Sequence, residues 1–265
     1  MKLAGATYME IALVMLRNGT TTLEAKSGYG LDTESEIKML RVLSRVPEET
    51  SLEISATFCG AHAVPRGSTE EEHVELICEE MLPAIEKAKT AGELRNLENI
   101  DAFCEKNVIS VENTKKILEA GKKLSLAVNF HAEELSCIGG AEMGASISAR
   151  AMSHLEEISD DGVIVALGSD FNPNAYCLAM PMIMHLACVY MRLSMEEALT
   201  AATLNSAHSL GRGRTHGAIT AGRKGDFVLL DSSVSSWKHI IYRMAAQDTV
   251  ISHVVKEGRV VHSSK

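Results

Sequence analysis

The chain changes its hydrophobic period repeatedly along its length. Residues 20–26 (TTTLEAK) read as a strand that runs into the glycine-bracketed Ser27-Gly28-Tyr29-Gly30. From 33 to 46 the apolar residues Ile37, Leu40 and Leu43 form a helical stripe, closed by Pro47. Residues 51–58 read as a second strand, followed by the loop Cys59-Gly60-Ala61-His62-Ala63-Val64-Pro65. An acidic helical stretch covers 68–89, with Glu70–Glu72, Glu75, Glu79 and Glu80 as its solvated face, and 100–104 is a short apolar strand. Residues 110–121 form a helix with Ser110 as N-cap and Gly121 at its stop. Residues 124–130 are a strand leading straight into His131, 139–149 a helix of small residues, 151–154 a brief strand, and 163–168 a strand leading into Ser169-Asp170.

Strands separated by helices predict parallel βαβ units, six of them by this reading. Polar residues follow these strands at their C-terminal ends: Tyr29, His62, Glu105, His131, His154 and Asp170. One such residue is most simply a hydrogen-bonded loop residue. Six in register mark the end of a parallel barrel where βα loops converge on an active site. Beyond Asp170 the text becomes helical at 181–192 and 194–204, the second helix opening on a Ser194/Glu197 capping box. The Met- and Cys-containing first helix reads as core packing. From Gly217 onward the pattern turns to strands at 226–230, 250–255 and 259–262, the last two forming a hairpin around Glu257-Gly258. The domain organisation predicted is a barrel over 12–211, an accessory β segment over 212–265, and a remnant of a preceding part at 1–11.

Composition narrows the class. Of 265 residues, 46% are apolar and 23% charged, as in an ordinary globular protein, and aromatics are scarce at 4%. Thirty-five acidic against 26 basic residues give a formal charge of −9, the wrong sign for a nucleic-acid partner. The six cysteines contain no C-x-x-C pair and read as reduced residues of a cytoplasmic protein. The longest apolar run, 177–191, holds Pro181 and His185 and is too short for a membrane span, so no membrane partner is expected.

A His and an Asp at the ends of different strands suit a metal site, because imidazole and carboxylate both ligate zinc or ferrous iron. His131 and Asp170 are the candidates, with His154 a second imidazole one strand on. In His131-Ala132-Glu133-Glu134 a carboxylate follows the His closely enough to orient substrate or shuttle a proton.

These segments carry a resemblance. KLAGATYMEI (2–11), GTTTLEAKSGYGLDTESEIKMLRVL (19–43), ATFCGAHAVP (56–65), NFHAEEL (129–135), SHLEEISDDG (153–162) and ALGSDFNPNAYC (166–177) are similar to the metal-dependent amidohydrolase superfamily, in its branch that opens an imidazolone ring. ALTAATLNSAHSLG (198–211) and AGRKGDFVLLD (221–231) resemble the general tail of the superfamily. The resemblance implies an α/β fold, an incomplete (β/α)8 TIM-like barrel of the amidohydrolase type with a small C-terminal β module. It implies one divalent metal, zinc or iron, on His131 and Asp170. It implies Glu134, His154 and Asp170 as catalytic groups, and Tyr29, His62, Glu134 and Asn172 as contacts to a small-molecule substrate. The implied reaction opens the ring of 4-imidazolone-5-propanoate to N-formimidoyl-L-glutamate, and the implied assembly is a homodimer. The alternatives are another amidohydrolase of cyclic amidines or amides, and a non-catalytic remnant.

Two departures accompany it. The superfamily supplies further metal ligands as a His-x-His after the first barrel strand, and no His-x-His occurs in these 265 residues. Only eight residues, 155–162, separate His154 from the next predicted strand, whereas a parallel crossover needs about a dozen. Segments are therefore expected to be missing at the N-terminus, near Ile11–Ala12 and near Gly162–Val163.

Overall fold

In the computed structural model, which describes residues 8–155 and 164–264, the alternating segments become strands. β1 (Thr22–Lys26), β2 (Glu53–Ala61), β3 (Leu97–Cys104), β4 (Ala127–Ala132) and β5 (Ala151–His154) form one sheet in that order. From β2 to β5 each strand pairs parallel with its successor, Phe103 standing opposite His131 and Ala132 opposite His154. Sequential parallel order with helical crossovers is the winding of a (β/α)8 barrel, so the fold is an incomplete barrel of this type.

The helices between are α1 (Tyr8–Arg17), α2 (Thr33–Glu49), α3 (Glu70–Leu76), α4 (Leu82–Thr90), α5 (Val111–Lys123) and α6 (Gly140–Ser146). A π-turn, Ile77–Met81, joins α3 to α4, and α3 starts two residues after the predicted Ser68 because Thr69 takes the cap with Glu72. Ser110 caps α5 as expected. Two predicted stops fail. α2 runs through Pro47 to Glu49. Proline has no N–H to give the Leu43 carbonyl, but the Asn96 side-chain amide donates to that carbonyl at 3.0 Å, so nothing is left unpaired. Gly121 lies inside α5, where it brings the helix onto β3.

The chain divides into two compact units. One comprises Glu24–Arg45 and Ile54–Gly162 and holds the sheet from Glu24 onward. Strand periodicity sorts its side chains. Ile54, Ala56 and Phe58, Ile100, Ala102 and Cys104, and Val128 and Phe130 are buried and apolar on one face. The opposite face is polar and hydrogen-bonded: Asn99 Nδ2 donates to Ser55 Oγ and Thr57 Oγ1 at 3.0 Å each, and Arg150 donates to Asn99 and Asn129.

A Cβ on Gly121 would lie 2.3 Å from Ile100 Cδ1 and 2.8 Å from Cγ2. Gly121→Ala is therefore expected to destabilise by about 1–3 kcal/mol through overpacking, despite the roughly 1 kcal/mol that alanine gains in helix propensity. Urea unfolding measures this, and Ile100→Val, which deletes the nearest carbon, is expected to recover part of the loss.

The other unit comprises Met1–Leu23, Val46–Glu53 and Val163–Lys265. It contains α7 (Met180–Tyr190), α8 (Met195–Thr200), α9 (Ser206–Ser209) and α10 (His239–Tyr242), and an antiparallel sheet of β6 (Phe227–Leu230), β7 (Ile251–Lys256) and β8 (Arg259–Ser263). Its core is Met184, Ala198, Ile240, Ile241 and Val250, so the Met-containing helix does pack as core. The Ser194/Glu197 capping box is formed. The strand predicted at 163–168 is not: residues 164–168 have no strand pairing. Their backbone turns to helical residues instead, Leu167 N–H donating to the Ala201 carbonyl and Asn205 Nδ2 to the Val165 carbonyl. Val163 and most of the predicted short crossover, 156–162, lie outside the described residues. All six cysteines are free thiols. Among the described residues no helix is long and apolar enough to cross a membrane.

Candidate active site

At the end of β1 the chain turns through Ser27-Gly28-Tyr29-Gly30. The fully buried Glu36 of α2 accepts the N–H groups of Gly30 and Leu31 at 2.8 and 3.0 Å, which fixes that turn. The Tyr29 ring then lies 5.1 Å from that of His62, the residue that follows β2. The His62 ring in turn packs against Phe103 of β3 and His131 of β4. Burial, reinforced by the charge His131 can carry, holds the His62 imidazole below its ordinary range.

His131 is buried and anchored twice by Asp101 of β3. The carboxylate accepts the His131 backbone N–H at 3.0 Å, and Nδ1 lies 2.9 and 2.8 Å from its two oxygens. The Asp101 side chain is 0% exposed, and Lys26 Nζ at the end of β1 donates to it at 2.7 Å. Burial alone would raise the Asp101 carboxyl, but the charges of His131 and Lys26 and their hydrogen bonds outweigh it and hold it well below the usual carboxylate range. Burial alone would likewise lower the Lys26 ammonium, and the charges of Asp101 and Glu24 raise it instead. An ionised carboxylate only accepts, so in neutral His131 the proton sits on Nδ1 and the lone pair is left on Nε2.

Glu134 and His154 also meet, His154 Nε2 standing 3.5 Å from the carboxylate. The His154 ring is 5.3 Å from that of His131. Glu133, His154 and Leu155 all hold left-handed backbone, with φ of 55°, 71° and 69°. Non-glycine residues adopt it at a cost, and such positions cluster where side chains must be aimed.

The fold thus brings together Tyr29, His62, His131, Glu134 and His154. Glu105, also a predicted strand-end candidate, serves structure: its carboxylate accepts from the Leu135 and Lys106 N–H groups and from the Ser136 hydroxyl, and so pins the loop that carries Glu134. Glu133 holds the start of α6 through the N–H groups of Gly139 and Gly140. Asp170 and Asn172 belong to the other unit, where Asn172 Nδ2 donates to the Asp170 carboxylate at 3.1 Å. Sequence reasoning missed Lys26, Asp101 and Phe103.

For a metal, His131 has the right chemistry, since ligating imidazoles characteristically give their other N–H to a carboxylate. Cys59, Asp101 and His131 do cluster, with ligand atoms within 4.8 Å of one another. The Lys26 ammonium already neutralises that carboxylate, however, so this trio fits a hydrogen-bonded network rather than a cation.

The sequence matches the amidohydrolase family over residues 86–261, and the chain belongs to that family. Its fold agrees: it superposes with a TM-score of 0.70 on a guanine deaminase from C. acetobutylicum, at 14% identity over 96% of this chain and 75% of that one. A zinc-bound adenosine deaminase from Xanthomonas campestris gives 0.62, at 16% identity over 95% of this chain and 68% of that one. Within the family the chain falls among the imidazolonepropionases. It is 45% identical to a probable imidazolonepropionase of Nematostella vectensis and 42% identical to the human one, covering 100% of this chain and 76% of each relative. The 329 positions aligned with the first exceed the 265 residues here by 64, so that relative carries at least as many residues inside the matched stretch with no counterpart in this chain.

Proposed function

We propose that the chain carries the imidazolonepropionase site and that its reaction is hydrolytic opening of 4-imidazolone-5-propanoate to N-formimidoyl-L-glutamate, a step of histidine degradation. The observation that carries this reading is the convergence of Tyr29, His62, His131, Glu134 and His154 at the C-terminal ends of successive parallel strands. His131 and Asp170 would hold one divalent cation, zinc or iron, which when bound supplies a hydroxide near neutral pH. The chain's own residues do the rest. Tyr29, His62 and Asn172 contact the ring and its propionate. His154 polarises the ring carbonyl, and Glu134 beside it takes a proton from water and returns it to the departing ring nitrogen. The oxygen of water bonds to the carbonyl carbon, the carbon–nitrogen bond breaks, and the nitrogen keeps the proton. The same reading includes a homodimer in the cytoplasm with neither nucleic-acid nor membrane partner, and the net acidic charge supports the former exclusion.

A second reading, a scaffold retained without catalysis, is favoured by the 64 positions inside the aligned stretch that have no counterpart in this chain. One experiment separates them: incubate the purified chain, loaded with zinc or ferrous iron, with 4-imidazolone-5-propanoate and follow the loss of imidazolone absorbance. Turnover that disappears in His131→Ala and Asp170→Asn is the expected result. A folded chain that leaves the substrate unchanged at every metal loading overturns the proposal in favour of the scaffold.

A further inference from the structure

We propose that Phe103 is the face on which the planar substrate ring stacks, and so a residue that sets specificity for a ring over an open chain. This rests on the reaction proposed above. Strand periodicity places Phe103 on the same face of β3 as Asp101, which grips His131, while its neighbours Ala102 and Cys104 are fully buried on the opposite, apolar face. In register it stands directly opposite His131. Its ring centroid lies 5.9 Å from that of His62, 5.6 Å from His131 and 6.5 Å from His154, so three imidazoles surround a single hydrocarbon ring.

Phe103 offers no proton, no lone pair and no charge. It is also not ordinary core: Phe58 and Phe130 of the same unit are 0% exposed, whereas Phe103 keeps part of its surface open. What it adds to a polar cluster is a flat apolar surface, and planar heterocycles bind such surfaces in offset or edge-on stacks. Ring opening converts the substrate to a flexible acyclic product with no ring to stack. Phe103 therefore favours substrate over product at the one site.

The test uses the full chain and two ligands, the substrate and imidazole-4-propanoate, a planar probe that cannot be hydrolysed. In F103L the substrate KM and the probe Kd are expected to rise about 3- to 10-fold, the range of an aromatic stack, with kcat within about 2-fold of wild type by the same reasoning. F103Y, which keeps the ring, is expected to stay near wild type, and inhibition by N-formimidoyl-glutamate should be the same in all three. In the wild-type complex the C2 proton of the probe should shift upfield and show nuclear Overhauser contacts to a phenylalanine ring. If wild type neither binds the probe nor turns over substrate, the proposed function falls and this inference with it. If wild type binds but F103L binds equally well, or F103L loses kcat while KM holds, Phe103 does not stack on substrate and the inference alone is overturned. Should F103L fail to fold, the wild-type spectrum decides: a bound probe without the upfield shift and ring contacts overturns it.

Discussion

Lys26→Met is expected to cost about 3–5 kcal/mol, because it leaves the fully buried Asp101 carboxylate without its ammonium partner. Asp101→Asn is expected to cost about 3 kcal/mol, toward the low end of that range because Lys26 keeps some contact with solvent and with Glu24 at 4.0 Å. The two changes damage different things. Asp101 has two oxygens for three donors: the His131 backbone N–H, His131 Nδ1–H and Lys26 Nζ. Asparagine has one oxygen, and turning it toward His131 aims its own N–H groups at the Lys26 ammonium. In Asp101→Asn, then, His131 loses its fixed tautomer, while in Lys26→Met the imidazole keeps it. Nitrogen-15 spectra of the His131 ring read the tautomer, and urea midpoints read the stability. The double variant is expected to be more stable than the sum of the single losses implies, since neither charge is then left alone. In the ring-opening assay Asp101→Asn should lose about 10- to 100-fold, the usual cost of removing the group that orients a ligating imidazole. An Asp101→Asn protein with wild-type stability and an unchanged His131 tautomer would show that the network does not position this residue.

Why this network escaped sequence reasoning is a matter of distance along the chain. Lys26 and Asp101 are 75 residues apart, and Asp101 sits in LENIDAFC, which reads as a mostly apolar strand. One signal was present: at period two, Asp101, Phe103 and Glu105 share a face, an odd set for a strand whose other face is pure core. The Pro47 stop failed for the same kind of reason, because the amide that satisfies the Leu43 carbonyl comes from Asn96. Local signals fared better. The Ser110 and Ser194 caps, the β7–β8 hairpin and the five parallel strands all follow from neighbours within a few residues. The predicted strand at 163–168 had the right composition, but a strand exists only where partners present their edges. Residues 164–168 give their hydrogen bonds to the 201–206 stretch instead. His131, Glu134 and His154 were legible because each lies next to a strand terminus that periodicity could locate.

Glu53→Gln is the second large effect, and it carries a pH dependence of known sign. Glu53 Oε1 accepts from Arg212 Nε at 2.7 Å, and Oε2 lies 2.9 Å from Lys256 Nζ, 3.2 Å from His216 Nε2 and 3.3 Å from Lys224 Nζ. Two further acids share these cations, Asp226 holding Lys256 at 2.6 Å and Glu257 holding Lys224 at 2.6 Å. Together these contacts tie Glu53 to the C-terminal part of its own unit. Losing the Glu53 charge leaves Arg212 and the buried Lys256 short of counter-charge, which is expected to cost about 3 kcal/mol. Burial alone would raise the Glu53 carboxyl, but the hydrogen bonds from Arg212 and Lys256 and the charges of Lys256 and His216 override it and hold it far below the usual range. The unfolded chain therefore takes up a proton here at a higher pH than the folded chain does. The stabilisation is complete above the ordinary carboxylate range and drains away as the pH falls through and below it. Urea midpoints taken between pH 7 and pH 3.5 should fall steeply for the wild type, whereas Glu53→Gln, already weakened at pH 7, should fall less. Parallel pH profiles for the two proteins would mean that acid lability resides elsewhere. Convergence of the two curves at low pH would place it on this one carboxylate.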